Sequence, residues 1–291
     1  MPRLGVPNLD SKLEDSLVAD MQKVEDLLRS HIKGEYPLVV ETSRHLVEAG
    51  GKRLRPLLTL IAAQFGDPSK SGIVEAAVVC ELTHLATLYH DDVMDEAPLR
   101  RGVESANNRW GNSVAILTGD YLFAKASDLL ADLGPEAVRL QAKTFERLVI
   151  GQINETQGST PGVSMIDHYL QVVSDKTGSL IATSARFGGL ISGADTKIVD
   201  VLTQFGEKVG IAFLYVMVST DPADKDLANR LSKPIAESDI SKTILELRNH
   251  KAVTEVKQYL HKIADEANEL IGQLPAGPAK DALGNLITAL I

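Results

Sequence analysis

The sequence predicts an all-α bundle, and three observations carry that prediction. Apolar residues recur three and four apart over long stretches, as in Leu13, Leu17, Met21, Val24 and Leu28; this is the period of a helix with one buried face. Strand-like alternation bounded by turn residues is almost absent. Glycine and proline gather in short clusters instead, among them Gly66–Asp67–Pro68, Gly134–Pro135 and Leu274–Pro278, which punctuate helices. Helices joined by short loops pack as a bundle. The 291 residues contain no internal repeat or low-complexity linker, so the chain reads as one domain over 1–291.

Composition narrows the function classes. The net charge of −9 argues against nucleic acid as a partner, because phosphate backbones demand clustered Lys and Arg. It leaves room for small anions, since a local basic pocket can sit in an acidic protein. The single cysteine, Cys80, lies in an apolar run and reads as a small buried residue. One cysteine excludes an internal disulfide and suits a reducing compartment. Met1–Lys12 lacks the apolar core of a signal peptide, and no apolar stretch reaches membrane-spanning length free of polar groups. The expectation is a cytoplasmic protein with no transmembrane segment.

Two helices stand out. Val74–His90 is apolar around most of its circumference, with Glu75 and Glu81 as its only carboxylates. Such a helix belongs in the middle of a bundle. Asn112–Leu133 is the other long apolar helix.

The central helix ends in His90–Asp91–Asp92–Val93–Met94–Asp95–Glu96. Continued as a helix, it stacks Asp95 one turn from Asp91 and Asp92, so three carboxylates crowd one face and repel. A solvated acidic helix end is one reading. The other follows from the buried setting: a hard divalent cation relieves the repulsion. Oxygen-only donors favour Mg²⁺ over Zn²⁺, and Mg²⁺ fills its shell with water and substrate phosphates. Arg100–Arg101–Gly102 follows closely and can receive phosphate oxygens or pair with Glu96 and Glu104. A second basic segment, Gly50–Gly51–Lys52–Arg53–Leu54–Arg55–Pro56, reads as a charged turn or as an anion site at a helix start. His84, two turns before Asp91, is either a core histidine or a phosphate contact.

Taken together, Gly51–Lys52–x–x–Arg55, His84, Asp91–Asp92–x–x–Asp95 and Arg100–Arg101–Gly102 resemble the first half of trans-isoprenyl (polyprenyl) diphosphate synthases. The resemblance continues through Asn112–Tyr121, Gly151–Gln152, Lys176–Thr177–Gly178, Phe187–Gly189 and Phe205–Gly210, most of the chain. It implies an isoprenoid-synthase-like helical bundle around a central cavity. The implied reaction condenses isopentenyl diphosphate with an allylic diphosphate, using Mg²⁺ and no covalent enzyme intermediate. By resemblance, Asp91, Asp92 and Asp95 hold Mg²⁺ on the allylic diphosphate, and Arg100 holds that diphosphate. Lys52, Arg55, His84 and Arg101 hold isopentenyl diphosphate. Lys176 and Thr177 reach the allylic side, and Gln152 lines the cavity wall. Thr83, Ala86 and Thr87 lie one and two turns before Asp91. Short-chain members block this region with an aromatic ring, so these small residues imply a long-chain product. A homodimer is implied, with Asn112–Leu133 as its contact.

The family's second aspartate-rich motif should follow Phe205–Phe213, yet Leu214 opens a segment that normally comes later. A stretch of a few dozen residues is expected between Phe213 and Leu214. Either the two are not covalent neighbours, or the segment is deleted and the chain is a non-catalytic subunit. Asp221, Asp224 and Asp226 do not rebuild the motif. An isoprenoid cyclase has no use for Lys52, Arg55 and Arg101.

Overall fold

A computed structural model describes residues 4–34, 36–160, 162–213 and 251–290. The Phe213–Leu214 junction falls at the edge of this set, with Leu214 and the acids at 221, 224 and 226 outside the described residues. Among the described residues every regular element is a helix apart from one short ribbon.

The helices are α1 (Ser11–His31), α2 (Pro37–Glu48), α3 (Leu54–Ala63) and α4 (Ile73–Met94), then α5 (Ala106–Trp110), α6 (Asn112–Leu133), α7 (Pro135–Gln157) and α8 (Met165–Val173). A π-helical turn, Ser174–Gly178, joins α8 to α9 (Ser179–Ser192). Next come α10 (Thr196–Phe213), α11 (Lys251–Gly272) and α12 (Pro278–Leu290). In α1 the apolar period works as expected: Leu13, Leu17, Val24 and Leu28 are buried, and Asp10 caps the first turn by accepting from the amides of Lys12 and Leu13.

Helix α4 is the axis of the bundle. It packs against α1, α3, α5, α6 and α9, which is why its apolar residues run all the way round. Cys80 is fully buried in it, and burial pushes its thiol up to about 11, so it is an inert packing residue. Tyr89 anchors α4 to α2: its hydroxyl donates to the Thr42 carbonyl and accepts from the Leu46 amide.

The ribbon pairs β1 (Leu99–Arg100) antiparallel with β2 (Val103–Glu104). No strand signal marks it, because each strand has only two residues. The turn residues Arg101 (φ 53°) and Gly102 (φ 79°) both have positive φ, as a tight type I′ hairpin turn requires. The hairpin sends both arginines back toward the end of α4.

Candidate active site

A cavity of about 940 Å³ opens at the C-terminal end of α4. Leu88, Phe145, Leu148, Val149 and Leu180 supply apolar wall, while charged groups from α4, the hairpin, the Gly51–Arg55 segment and the π turn ring the mouth.

Asp91 and Asp95 both line it. They are stacked one turn apart, since the Asp95 amide donates to the Asp91 carbonyl at 2.8 Å. Asp92 does not share their face. Consecutive helical residues point about 100° apart, and Asp92 turns into the protein, fully buried, where Oδ1 accepts from Arg100 Nε at 2.5 Å. Among the described residues no three His, Cys, Asp or Glu side chains are grouped to hold a metal by themselves. The donor set nevertheless fits a hard cation that brings its own water and phosphate oxygens. Asp91 and Asp95 are oxygen donors facing the cavity, and Asp92 Oδ2 is buried without a hydrogen-bond partner. Burial raises the Asp91 carboxyl above its usual range, Lys176 opposes that, and Asp95 adds to it.

Lys176 crosses the mouth opposite Asp91, with Nζ 3.8 Å from Asp91 Oδ1 and 2.6 Å from Glu155 Oε2. The π turn that carries it widens the helix locally, a distortion found often at functional sites. Gly151 lets α7 lie against this turn: a Cβ there would stand 2.7 Å from the Lys176 amide nitrogen. The next residue, Gln152, lines the cavity with its Oε1 buried and unpartnered. Thr177 also lines the cavity and is buried.

The basic side holds Lys52, Arg55, His84, Arg100 and Arg101, all on the cavity lining. Arg101 is fixed by backbone: its guanidinium donates to the carbonyls of Leu46 and Gly50 and lies 3.8 Å from Glu81. Arg55 Nε is buried without a partner, a donor ready for an anion. Burial, reinforced by Arg55, Arg101 and Arg53, holds the His84 imidazole well below its usual range. It is neutral at physiological pH.

Three residues that sequence reasoning passed over organise this site. Glu81 is buried under the basic side and accepts from Arg53 Nη1 at 2.7 Å. Arg53, at φ 48°, spans Glu81 and Glu25, reaching the latter at 2.5 Å. Burial acts to lower Arg53, but the two carboxylates outweigh it and raise its pKa. Glu155 orients Lys176. A Glu in the middle of a mostly apolar helix, a turn and a half beyond Glu75, was the available signal for Glu81. Glu155 gave only its spacing, one turn beyond Gln152.

Of the tail-region candidates, Thr87 lines the cavity. Thr83 and Ala86 are fully buried and do not. Ala86 presents its carbonyl toward Gly119 of α6.

The chain matches the family described as Polyprenyl synthetase over residues 36–217. It is 38% identical to the nonaprenyl diphosphate synthase of Mycobacterium tuberculosis over 318 residues, covering 97% of this chain and 95% of that one. Its fold superposes on a decaprenyl diphosphate synthase from Rhodobacter capsulatus with a TM-score of 0.83 and 28% identity, over 96% of this chain and 97% of that one. It superposes equally on a geranylgeranyl pyrophosphate synthase from Corynebacterium glutamicum complexed with calcium and isoprenyl diphosphate, at a TM-score of 0.81 and 35% identity over 97% of both chains. Matched by a family over more than half its length and by near-complete relatives, with a carboxylate-rimmed apolar cavity in place, the chain belongs to the polyprenyl synthetase family, the trans-isoprenyl diphosphate synthases.

Proposed function

We propose that this prenyltransferase condenses isopentenyl diphosphate with an allylic diphosphate to give a long-chain trans-polyprenyl diphosphate, and that it does so with Mg²⁺. The observation that carries the reading is the division of one cavity: carboxylates and Lys176 on one rim, Arg55, His84 and Arg101 on the other, apolar wall beneath. Asp91 and Asp95 would hold the metal, which when bound supplies positive charge against the departing diphosphate. Lys176 and Arg100 add to that charge from fixed positions. Arg55 Nε and Arg101 orient the second diphosphate, and neutral His84 is free to donate to it. The walls of Phe145, Leu148 and Leu180 keep water from the allylic carbon. The long-chain choice is supported by the small Thr87 in the wall below Asp91 and by the nonaprenyl and decaprenyl names of two relatives. Labelled isopentenyl diphosphate incubated with farnesyl or geranylgeranyl diphosphate and Mg²⁺ gives products beyond geranylgeranyl on this reading. A ladder ending at or below geranylgeranyl refutes the long-chain assignment.

A second reading, a non-catalytic subunit, is supported by one feature. The alignment to the nonaprenyl relative spans 318 positions against a chain of 291 residues, so part of that relative has no counterpart here. The family match also ends at residue 217, close to the expected missing segment after Phe213. Absence of any product in the same assay favours this reading. The catalytic form works as a homodimer through α6.

A further inference from the structure

A second cavity, of about 630 Å³, lies between α7, α9 and α10. Its volume falls in the range of small-molecule sites, roughly 300–1,000 Å³. The lining carries four cations, Arg139, Lys143, Arg147 and Arg186, against two carboxylates, Glu136 and Glu207. That local excess stands in a chain whose net charge is −9. Arg139, Lys143 and Arg147 are spaced i, i+4 and i+8 along α7, so three like charges stack on one face and repel. Arg186 adds a fourth from α9. The exposed apolar residues Val138 and Val149 stand about 160–180° around α7 from Leu140 of the lining. A dimer that covers them leaves this cavity open.

The four cations are not equally engaged. Arg147 Nη1 donates to Glu207 Oε1 at 2.5 Å, and its Nε donates to Asp175 Oδ1 at 3.1 Å. Arg186 donates to Thr203 and lies 3.6 Å from Asp200. Arg139 and Lys143 make no ion pair or hydrogen bond among the described residues. The hydroxyls of Thr144, Ser179 and Thr203 donate to nearby backbone carbonyls. The unengaged donors are chiefly the heads of Arg139 and Lys143.

We propose that this cavity is a second anion site, for a small ligand carrying a diphosphate group, and that its occupant lowers turnover through Arg147. A concave site walled by three helices suits a small molecule better than the flat headgroup layer of a membrane. Two phosphoryl groups supply anionic oxygens to Arg139 and Lys143 together. They also compete with Asp175 and Glu207 for Arg147. Those two contacts brace the π turn from outside the active site. Asp175 immediately precedes Lys176. Glu207 packs against the turn, where a Cβ on Gly178 would stand 3.2 Å from Glu207 Oε2. With the brace drawn away, the turn no longer fixes Lys176 Nζ at 3.8 Å from Asp91.

The binding site stands independently of the prenyltransferase reading above; the effect on turnover rests on it. The test uses the full chain, with inorganic diphosphate as the probe. In calorimetry without Mg²⁺, Arg139→Gln combined with Lys143→Gln binds one diphosphate fewer per chain than wild type. Equal stoichiometry and affinity in the two overturn the site. Vesicles of phosphatidylcholine and phosphatidylglycerol that capture wild type but not the double variant, while diphosphate binds both alike, give the row to a lipid surface and also overturn it. In the assay, with both substrates saturating and Mg²⁺ in excess, diphosphate lowers the wild-type kcat by about fivefold, the small end of ordinary coupling between sites. The kcat of the double variant does not respond. Arg147→Lys keeps the charge but cannot bridge Asp175 and Glu207; it still binds the second diphosphate, and its kcat does not respond either. Inhibition that is purely competitive, and equal in wild type and double variant, overturns the link to Lys176. If wild type makes no product, the catalytic reading fails, and the calorimetry still decides the site.

Discussion

Arg100 turns back from the hairpin and places Nε 2.5 Å from Oδ1 of Asp92, the one carboxylate of the acidic cluster that faces away from the cavity. Its Nη2 lies 3.9 Å from Asp95 Oδ2. Arg100 therefore ties the buried member of the cluster to the exposed one. It also completes a short circuit of charge at the cavity mouth, with Asp91 and Lys176 on the other side.

That geometry separates the roles of the three aspartates. Asp91→Ala and Asp95→Ala each remove a cavity-facing oxygen donor and leave the core untouched. Turnover falls by about 10²-fold or more, the scale of losing one pre-organised charged group at a reacting centre, while the melting temperature holds. Chelating the metal stops the reaction, and added Mg²⁺ restores it. Asp92→Ala acts differently, because it leaves the Arg100 guanidinium without its buried partner. Stability falls by about 1–3 kcal/mol, measured by urea titration, and the allylic KM rises. Equal stability in all three variants refutes the division.

The bundle was legible because helices announce themselves by period. Leu13 to Leu28 and Asn112 to Leu133 supplied long apolar series, and the uniform apolarity of Val74–His90 marked α4 as central. The DDxxD spacing put Asp91 and Asp95 one above the other, as they stand on α4. It could not show that Asp92 pairs with Arg100, because spacing along a helix says nothing about which partner arrives from elsewhere. Here Arg100 arrives from a hairpin whose strands are too short to show a pattern. Glu81 and Arg53 were illegible for a related reason. Their pairing joins residues 28 apart in sequence, and only the packed fold brings them together. The hydrogen bond from Gln141 to Thr83, spanning 58 residues, is the same case.

The exposed apolar residues of α6 and α7 are the observation behind the proposed homodimer. Leu117 is 65% exposed, Ile150 45% and Val138 44%, and single chains seldom leave a concentration of large apolar side chains in water. Sedimentation at micromolar concentration should report twice the monomer mass. Leu117→Glu combined with Ile150→Glu should return the monomer mass with helical circular dichroism intact. A wild-type monomer at that concentration removes α6 as an interface.

His84 makes acid sensitivity a test of the basic side. Its native pKa lies well below the ordinary histidine value, first because of burial and then because Arg55, Arg101, Arg53 and Arg100 surround it. The unfolded chain titrates near ~6.5. Between the two values the unfolded chain binds a proton that the native state refuses. Stability from this group is therefore intact above that range and falls as pH drops through it, with a slope of at most about 1.4 kcal/mol per pH unit. Asp91 and Asp92 are shifted the other way, raised chiefly by burial. Between the ordinary carboxylate value and their raised native values, the native forms hold protons that the unfolded chain has lost, so in that window they oppose the His84 trend. The two contributions are separated by subtraction: urea titrations of wild type and His84→Gln from pH 7.5 to 5.5 should diverge, with wild type losing more stability on acidification. Because these four arginines line the cavity, isopentenyl diphosphate should also raise the His84 pKa when it binds, and the wild-type acid slope should flatten in its presence. Parallel pH profiles for wild type and His84→Gln, with and without that ligand, would show that His84 neither stays neutral in the fold nor faces the diphosphate.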